Sequence, residues 1–487
     1  MPELLLAIDA GTTTIRACLF TPGGDKLAQS ALPVASLAPT PGRVEQDGAE
    51  IWQSARAVIA GALAGRSPGD IAAIGITTQR ASAMLWDRRT GHPLTPLVVW
   101  SDLRGAERAR ELHEMGFPLS PQQSAAKLEA LIELVENATE LISQGRLAFG
   151  NIDAFLVFKL TGGLHVTDRS QAWPSGYLDL ASLGWNQRLM AAQSLPTSLF
   201  PTLVDTWGEI GVTSHAVFGA TVPVTAIVAD QQAALIGHGG EAPGQAKVTY
   251  GTSAALDIST GPEFMWRGGA IPPFILTSVG SQTRFCLEGM VNSAGSALDW
   301  LRSTFSLGDH EALAQRAART ADAGGVAFLP ALQGLGAPYG DLTRRANLAG
   351  LSLATGPDQI ARAGLEGVAF RVREVFDHMF DQTGFAPPEI LDVDGGLTAS
   401  NALMQVQADL LARPVRRHAH REATTAGAAL CAARGAGLIG QDTVEKFAQY
   451  DCVFEPRLSV DEADERRRAW TAQLGIKGAQ ERDMKGT

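Results

Sequence analysis

Two segments whose glycines stand 240 residues apart (Gly11 and Gly251) repeat one short pattern, and that repetition constrains the fold more than any other feature. The first is Leu4-Leu5-Leu6-Ala7-Ile8-Asp9-Ala10-Gly11-Thr12-Thr13-Thr14-Ile15-Arg16-Ala17-Cys18-Leu19-Phe20. The second is Ala246-Lys247-Val248-Thr249-Tyr250-Gly251-Thr252-Ser253-Ala254-Ala255-Leu256-Asp257-Ile258. Each reads as an apolar strand, a glycine–hydroxyl turn and a returning apolar strand. A glycine without Cβ lets an anion approach the turn backbone, and the hydroxyls add donors. Two such hairpins in equivalent places predict a duplicated fold that holds a polyphosphate between its halves.

With 487 residues the chain exceeds one compact core, so two or three domains are expected. The formal net charge of −11 argues against nucleic acid or an anionic membrane as the main partner, while a small anion such as ATP stays compatible with local donors. The first apolar run stops at Asp9 and carries no basic leader, which makes it a strand rather than a signal peptide. Cys18, Cys286, Cys431 and Cys452 are scattered without metal-ligand spacing. They are expected to be reduced thiols, mostly among apolar neighbours, which fits a cytoplasmic protein.

The pattern predicts an N-terminal domain over 1–242, a C-terminal domain over 243–455 and a charged helix and tail over 456–487. Helices are expected over 50–64, 125–135, 151–160, 293–304 and 357–383. Further strands are expected near 27–33 and over 71–77, 222–229, 326–329 and 389–393. Alternating strands and helices in two similar halves define an α/β architecture.

Four constellations carry chemistry. Asp9, just ahead of Gly11-Thr12-Thr13, suits a hydrated Mg²⁺ beside a phosphate cradle, and Arg16 on the returning strand could reach a phosphate. The plainer alternative is a hairpin whose Asp and Thr only satisfy the turn. Asp230, at the end of the apolar run 222–229 and followed by Gln231, stands where open α/β sheets place ligands. It is the candidate base for an acceptor hydroxyl, a role compatible with capping the following helix. Asp394-Gly395-Gly396 is a strand, a glycine pair and a helix start. It could admit a flat ring, or be purely structural. Finally, Gln79, Arg80 and Ala81 after one strand, with Trp100, could bind a polyhydroxylated ligand. Alternatively the tryptophans are core and Arg80 pairs with Asp102.

Taken together, Asp9-x-Gly11-Thr12-Thr13, Asp230-Gln231, Tyr250-Gly251-Thr252 and Asp394-Gly395-Gly396 resemble the FGGY carbohydrate kinases, in family order, over residues 3–440. Leu287-Glu288-Gly289, Gly334-Leu335-Gly336-Ala337-Pro338 and the segment 362–370 add to the match. The resemblance implies an actin-like fold of two ribonuclease-H-like domains that bind ATP and a sugar or polyol in the cleft between them. It implies that Asp230 takes the acceptor proton and that Asp9 serves magnesium. Gly11, Thr12, Thr13, Gly251 and Thr252 would serve the phosphates, and Gly295, Asp299, Gly395, Gly396 and Ser400 the nucleotide. The acceptor would be a small sugar, sugar acid or polyol, bound with no nucleic-acid or membrane partner; a homodimer is compatible with all of this.

Gly75-Ile76-Thr77-x-Gln79-Arg80, Phe149-Gly150-Asn151-Ile152-Asp153 and His165-Val166-Thr167-Asp168 are most similar to the glycerol kinase branch of that family. There the arginine matching Arg80 precedes a glutamate that binds a glycerol hydroxyl; here the position is Ala81. A tyrosine that helps close the glycerol pocket is matched by Gln122. Loss of a charged acceptor costs about 1.5–3 kcal/mol for that hydroxyl. The pocket is therefore expected to favour a longer or more oxidised acceptor than glycerol. The rival readings are glycerol kinase proper and a catalytically silent nucleotide-binding sugar sensor. A silent protein would be expected to lose Asp230 or Gly11-Thr12-Thr13, and both are present.

Overall fold

The computed structural model describes residues 3–440, 443 and 446–476. The chain divides into two compact units: Met1–Gly237 with Phe274–Thr283 and Thr424–Phe447, and His238–Pro273 with Arg284–Ala423 and Ala448–Thr487. The sequence suggested contiguous halves; instead, two later segments return to the first unit. Of the expected charged tail, helix Val460–Leu474 is present, opened by Ser459 and Glu462 in a reciprocal cap. Residues 477–487 lie outside the described residues.

The first unit is built on six strands: β1 (Leu4–Ala10), β2 (Thr14–Phe20), β3 (Lys26–Pro33), β4 (Ile71–Thr78), β5 (Trp207–Val212) and β6 (Pro223–Ala229). Their spatial order is β5-β6-β4-β1-β2-β3. Strands β1, β2 and β3 form an antiparallel meander, and β4 and β6 join β1 in parallel. Both faces of β1 are buried, which is why its sequence is apolar without alternation. Helix Ala423–Gly435 packs closely against this unit. A Cβ on Gly75 would come within 2.2 Å of the Ala428 carbonyl, and one on Gly427 within 1.8 Å of the Ala233 carbonyl, so only glycine allows these approaches.

The second unit repeats the plan with β7 (Ala246–Tyr250), β8 (Ala254–Gly261), β9 (Gln282–Val291), β10 (Leu391–Asp394), β11 (Val415–His418) and β12 (Tyr450–Phe454). The run β9-β8-β7-β10-β11-β12 again joins an antiparallel meander to two parallel strands and an antiparallel edge. Helix Pro357–Thr383 covers the core with Val368, Val372, Val375 and Met379. The order and polarity of the first sheet's six strands recur in these six of the second sheet's seven, which establishes the duplication inferred from the hairpins.

Most expected elements are present within a few residues. The exception is 125–135, where a short 3₁₀ turn (Ser124–Ala126) and one helical segment (Leu128–Ile132) flank Lys127. The buried Lys127 ammonium donates to the Val99 carbonyl at 2.9 Å and the Trp100 carbonyl at 3.3 Å. Cys18, Cys286 and Cys431 are buried, and Cys452 is half-buried. Among the described residues, no helix is long and apolar enough to cross a membrane.

Candidate active site

Because β1, β4 and β6 run parallel, their C-terminal ends lie side by side on the first sheet. Asp9 is the penultimate residue of β1, Gln79 and Arg80 follow β4, and Asp230 opens helix Asp230–Gly237 directly after β6. Parallel topology thus gathers at one sheet edge the residues that the sequence scatters over more than 200 positions.

The first hairpin places Asp9 opposite Arg16, and the guanidinium donates to Asp9 Oδ2 at 2.8 Å. Asp9 is buried and Arg16 half-buried, so the two form a partly desolvated pair at the turn. The Gly11 amide donates to the Thr14 carbonyl at 3.0 Å, and Thr13 is exposed. In the second hairpin the Gly251 amide reaches the Ser253 carbonyl at 2.8 Å, a turn one residue tighter.

Arg80 Nε lies 3.3 Å from Asp230 Oδ1, and the same oxygen accepts the Gln231 amide at 2.8 Å. Asp102 instead pairs with Arg104 at 2.9 Å and accepts the Val44 amide at 2.7 Å, so an Arg80–Asp102 pair is not formed. Burial raises the Asp102 carboxyl, but Arg104 and the amide donors outweigh it and hold it below the usual range. Trp86 is core, edge-on to Phe155, Phe158 and His165, whereas Trp100 is 36% exposed. Gln122 lies on an exposed turn, its amide donating to Ser120 Oγ at 3.3 Å. Ala81 is buried with φ +53°, a left-handed conformation costly for a residue with Cβ. Such strain just after Arg80 marks a backbone whose shape the surrounding structure enforces.

Three contributors were not legible in the sequence. Gln46, after Glu45, is buried against the first hairpin; its Nε2 donates to the Thr12 carbonyl at 2.6 Å and its Oε1 accepts Gln79 Nε2 at 3.0 Å. Phe274, in the returning segment 274–283, lies under Arg80, with the guanidinium carbon 4.6 Å from the ring centroid. Asp168 is fully buried and accepts from Ser170, Gln171 and Thr206 at 2.9–3.0 Å. Ser170 Oγ in turn accepts the Ala229 amide, and Gln171 Nε2 donates to the Thr78 carbonyl, which fixes the ends of β6 and β4. The only sequence signal was the acidic residue closing His165-Val166-Thr167-Asp168.

In the second unit, Gly395 has φ +94°, and a Cβ there would lie 2.3 Å from the Tyr250 carbonyl, so glycine is required. At Gly396 an added Cβ would meet nothing within 4 Å. Ser400 caps helix Asn401–Leu411 by accepting the Leu403 amide at 3.2 Å. Gly295 opens helix Gly295–Thr304, where its amide and those of Ala294 and Ser296 hold the Gly251 and Thr252 carbonyls at 3.0–3.1 Å. Asp299 is exposed and pairs with Arg302 at 2.8 Å and His310 at 3.0 Å. Asp394 accepts the Thr249 hydroxyl and the Ala423 amide; burial pushes its carboxyl up.

Two duplicated ribonuclease-H-like sheets, each with a glycine hairpin between its first two strands, define the actin-like class of two-domain phosphotransferases. The chain belongs to the FGGY family of carbohydrate kinases: the model of the family's N-terminal domain matches residues 4–237 and that of its C-terminal domain residues 246–436. It is therefore a phosphotransferase with an alcohol group as acceptor, and family membership implies ATP as donor. Glycerol kinase of Alkalilimnicola ehrlichii is 39% identical, covering 99% of each chain, and that of Citrifermentans bemidjiense 38% identical, covering 96% of this chain and 97% of its own. The crystal structure of Plasmodium falciparum glycerol kinase with ADP is similar at a TM-score of 0.88 and 26% identity, covering 97% of each chain. That of gluconate kinase from Lactobacillus acidophilus reaches 0.84 at 23% identity over 98% of each, a likeness of fold alone.

Proposed function

We infer that the protein transfers the γ-phosphoryl group of ATP to one hydroxyl of a small sugar, sugar acid or polyol, with Asp230 as general base. The observation that carries this reading is the placing of Asp230. Its carboxylate is about a quarter exposed at the end of a parallel strand, and Arg80 and the Gln231 amide orient it from within the first unit. The acceptor hydroxyl gives its proton to Asp230 while its oxygen bonds to the γ-phosphorus, and the bond to the leaving ADP oxygen breaks. Gln79, Arg80, Trp100 and Gln231 would bind the acceptor's remaining oxygens. Thr12, Thr13 and Thr252 would supply donors to the phosphates, Gly11 and Gly251 would leave room for their approach, and Arg16 would add a charge. The loop Gly395-Gly396, with Gly295, would admit the nucleoside.

The residues at the first hairpin fit a magnesium ion that arrives on the nucleotide. Asp9 is one buried carboxylate, and among the described residues no group of three or more His, Cys, Asp or Glu side chains could hold a metal. Mg²⁺ takes one or two carboxylates plus phosphate oxygens and, when bound, offsets the phosphate charge.

Glycerol itself is the second reading. The glycerol kinases named above favour it at least as strongly as Ala81 counts against it. An ADP-release assay over polyols, ketoses and sugar acids separates the two, and the absence of acceptor-stimulated ADP release across the whole panel would revive the silent sensor. Replacing Ala81 with Glu is expected to raise kcat/KM for glycerol by about tenfold, since a charged hydrogen bond is worth about 1.5–3 kcal/mol. Asp230→Asn is expected to lower kcat by about 10²–10⁴ while nucleotide and acceptor still bind. A variant that keeps more than about a tenth of wild-type kcat would remove Asp230 from the role of base.

A further inference from the structure

Thr12, Gln79 and Gln46 close a ring of hydrogen bonds within the first unit. Thr12 Oγ1 donates to Gln79 Oε1 at 3.0 Å, Gln79 Nε2 donates to Gln46 Oε1 at 3.0 Å, and Gln46 Nε2 donates to the Thr12 carbonyl at 2.6 Å. Trp100 Nε1 donates to Thr12 Oγ1 from outside the ring at 3.1 Å. A backbone carbonyl can only accept, so Gln46 turns its NH₂ to the Thr12 carbonyl and its oxygen to Gln79. That fixes Gln79: its NH₂ donates to Gln46, its oxygen takes the single proton of the Thr12 hydroxyl, and the Trp100 indole, which can only donate, ends on that hydroxyl. Ser36 Oγ takes a further bond from Gln46 Nε2 at 2.9 Å. Gln46 and Gln79 are each 1% exposed, so water does not compete for these groups.

The ring ties a residue of the phosphate hairpin to residues of the acceptor side. The Thr12 hydroxyl has one proton, already committed to Gln79. A bond to an ionised phosphate is roughly twice as strong as a neutral one, so a phosphate would win that proton. The Gln79 oxygen would then lose its partner, a costly state for a side chain 1% exposed whose ring opens only at the half-buried Thr12 and the exposed Trp100. Gln46 holds the other end of the Gln79 amide and prevents it from turning to find a replacement. A hydroxyl of the acceptor is the group able to supply one.

We propose that Gln46 is a positioning residue that couples the two substrates: it holds the Gln79 oxygen where an acceptor hydroxyl replaces the Thr12 proton, so that acceptor binding frees Thr12 for the phosphate. The inference rests on the kinase reading and on Thr12 reaching a phosphate. By linkage the effect is reciprocal, each substrate tightening the other. One orphaned buried acceptor corresponds to a coupling of about 5- to 100-fold in affinity.

Calorimetric titration of a non-hydrolysable ATP analogue, with and without a saturating acceptor that the enzyme turns over, measures the coupling. In the wild type the acceptor is expected to tighten the analogue at least about fivefold. In Gln46→Met, which keeps the length of the side chain but neither bond, the ratio is expected to fall below about twofold. Its kcat should fall less than its KM for ATP rises at saturating acceptor, a split that general destabilisation would not produce. Gln46→Glu, which still accepts from Gln79, is expected to retain part of the coupling. If Gln46→Met does not fold, Gln46→Glu, which cannot donate to the Thr12 carbonyl, serves in its place, and a coupling ratio no lower than that of the wild type overturns the proposal. A wild type without coupling, or a Gln46→Met enzyme with full coupling, overturns the proposal. Absence of turnover with every acceptor would instead refute the kinase reading, and turnover without coupling would refute the ring alone.

Discussion

Replacing Gly295 with alanine tests whether the second hairpin is held in place by the helix that follows it. A Cβ at Gly295 would lie 2.6 Å from the Gly251 carbonyl oxygen and 3.3 Å from Leu397 Cδ1. The opposing atom is backbone, and the Gly295 amide already bonds it at 3.0 Å, so no side chain can swing aside. Reaching even a tight contact of 3.0 Å means that the turn or the helix start shifts by about 0.4 Å, the difference between 3.0 and 2.6. Overpacking of this kind destabilises by about 1–3 kcal/mol. A misplacement of 1 Å can cost about 10²-fold in rate, so a shift of this size should lower kcat/KM for ATP by about tenfold. The assay is steady-state kinetics at varied ATP and saturating acceptor, alongside urea unfolding. Affinity for the acceptor alone should be unchanged, because its candidate residues belong to the first unit. Gly396→Ala is the control: a Cβ there meets nothing within 4 Å, so stability should hold within about 0.5 kcal/mol. A Gly295→Ala enzyme with wild-type stability and kcat/KM for ATP within twofold would refute the steric argument.

Two buried carboxylates in the first unit make separate expectations. Burial pushes the Asp153 carboxyl up to about 7, opposed in part by the Thr167 hydroxyl at 2.6 Å. Its folded value is raised, so the folded state binds the extra proton and stability falls as pH rises from about 4 to 7. Asp153→Asn should flatten that part of the curve of unfolding free energy against pH; an unchanged slope would assign it to other groups. Asp168→Ala leaves the donors of Ser170, Gln171 and Thr206 without their acceptor and should destabilise by about 3–5 kcal/mol, read as a fall in Tm and in urea midpoint. A loss below about 1 kcal/mol would show that the network re-forms on water.

The elements proposed to carry the phosphate side were legible because each is local. An apolar strand, a glycine turn and a returning strand lie within 17 residues at Leu4–Phe20, and the same grammar recurs at residue 246. Asp230 was legible for the same reason: a buried run stops at an acid and a helix begins. The proposed acceptor side was less so, because its partners are isolated polar or aromatic residues brought together by topology. Nothing near Gln46 announces a bond to Gln79, 33 positions later, and nothing near Phe274 announces Arg80. The alternative pairing of Arg80 with Asp102 failed because Arg104, two residues along, wraps onto Asp102 and closes it off. The helix expected over 125–135 is broken at Lys127, whose buried side chain donates to the distant carbonyls of Val99 and Trp100, partners that no local pattern announces.

Helix Ala423–Gly435, which completes the first unit, also sets a timetable. Thr225 Oγ1 donates to the Ala432 carbonyl across 207 residues, and the Gly75 and Gly427 contacts close the same seam. On a ribosome adding about 5–20 residues per second, the first sheet would wait roughly 10–40 s for its covering helix. During that interval the face at Gly75 is uncovered, and the second unit's strands are being made while the first is unfinished. Early synthesis therefore does not mean early completion in this chain. Most of the first unit leaves the ribosome in the first half of synthesis, yet it lacks a segment until residue 447 is made, and both units close only when the last fifth of the sequence is made.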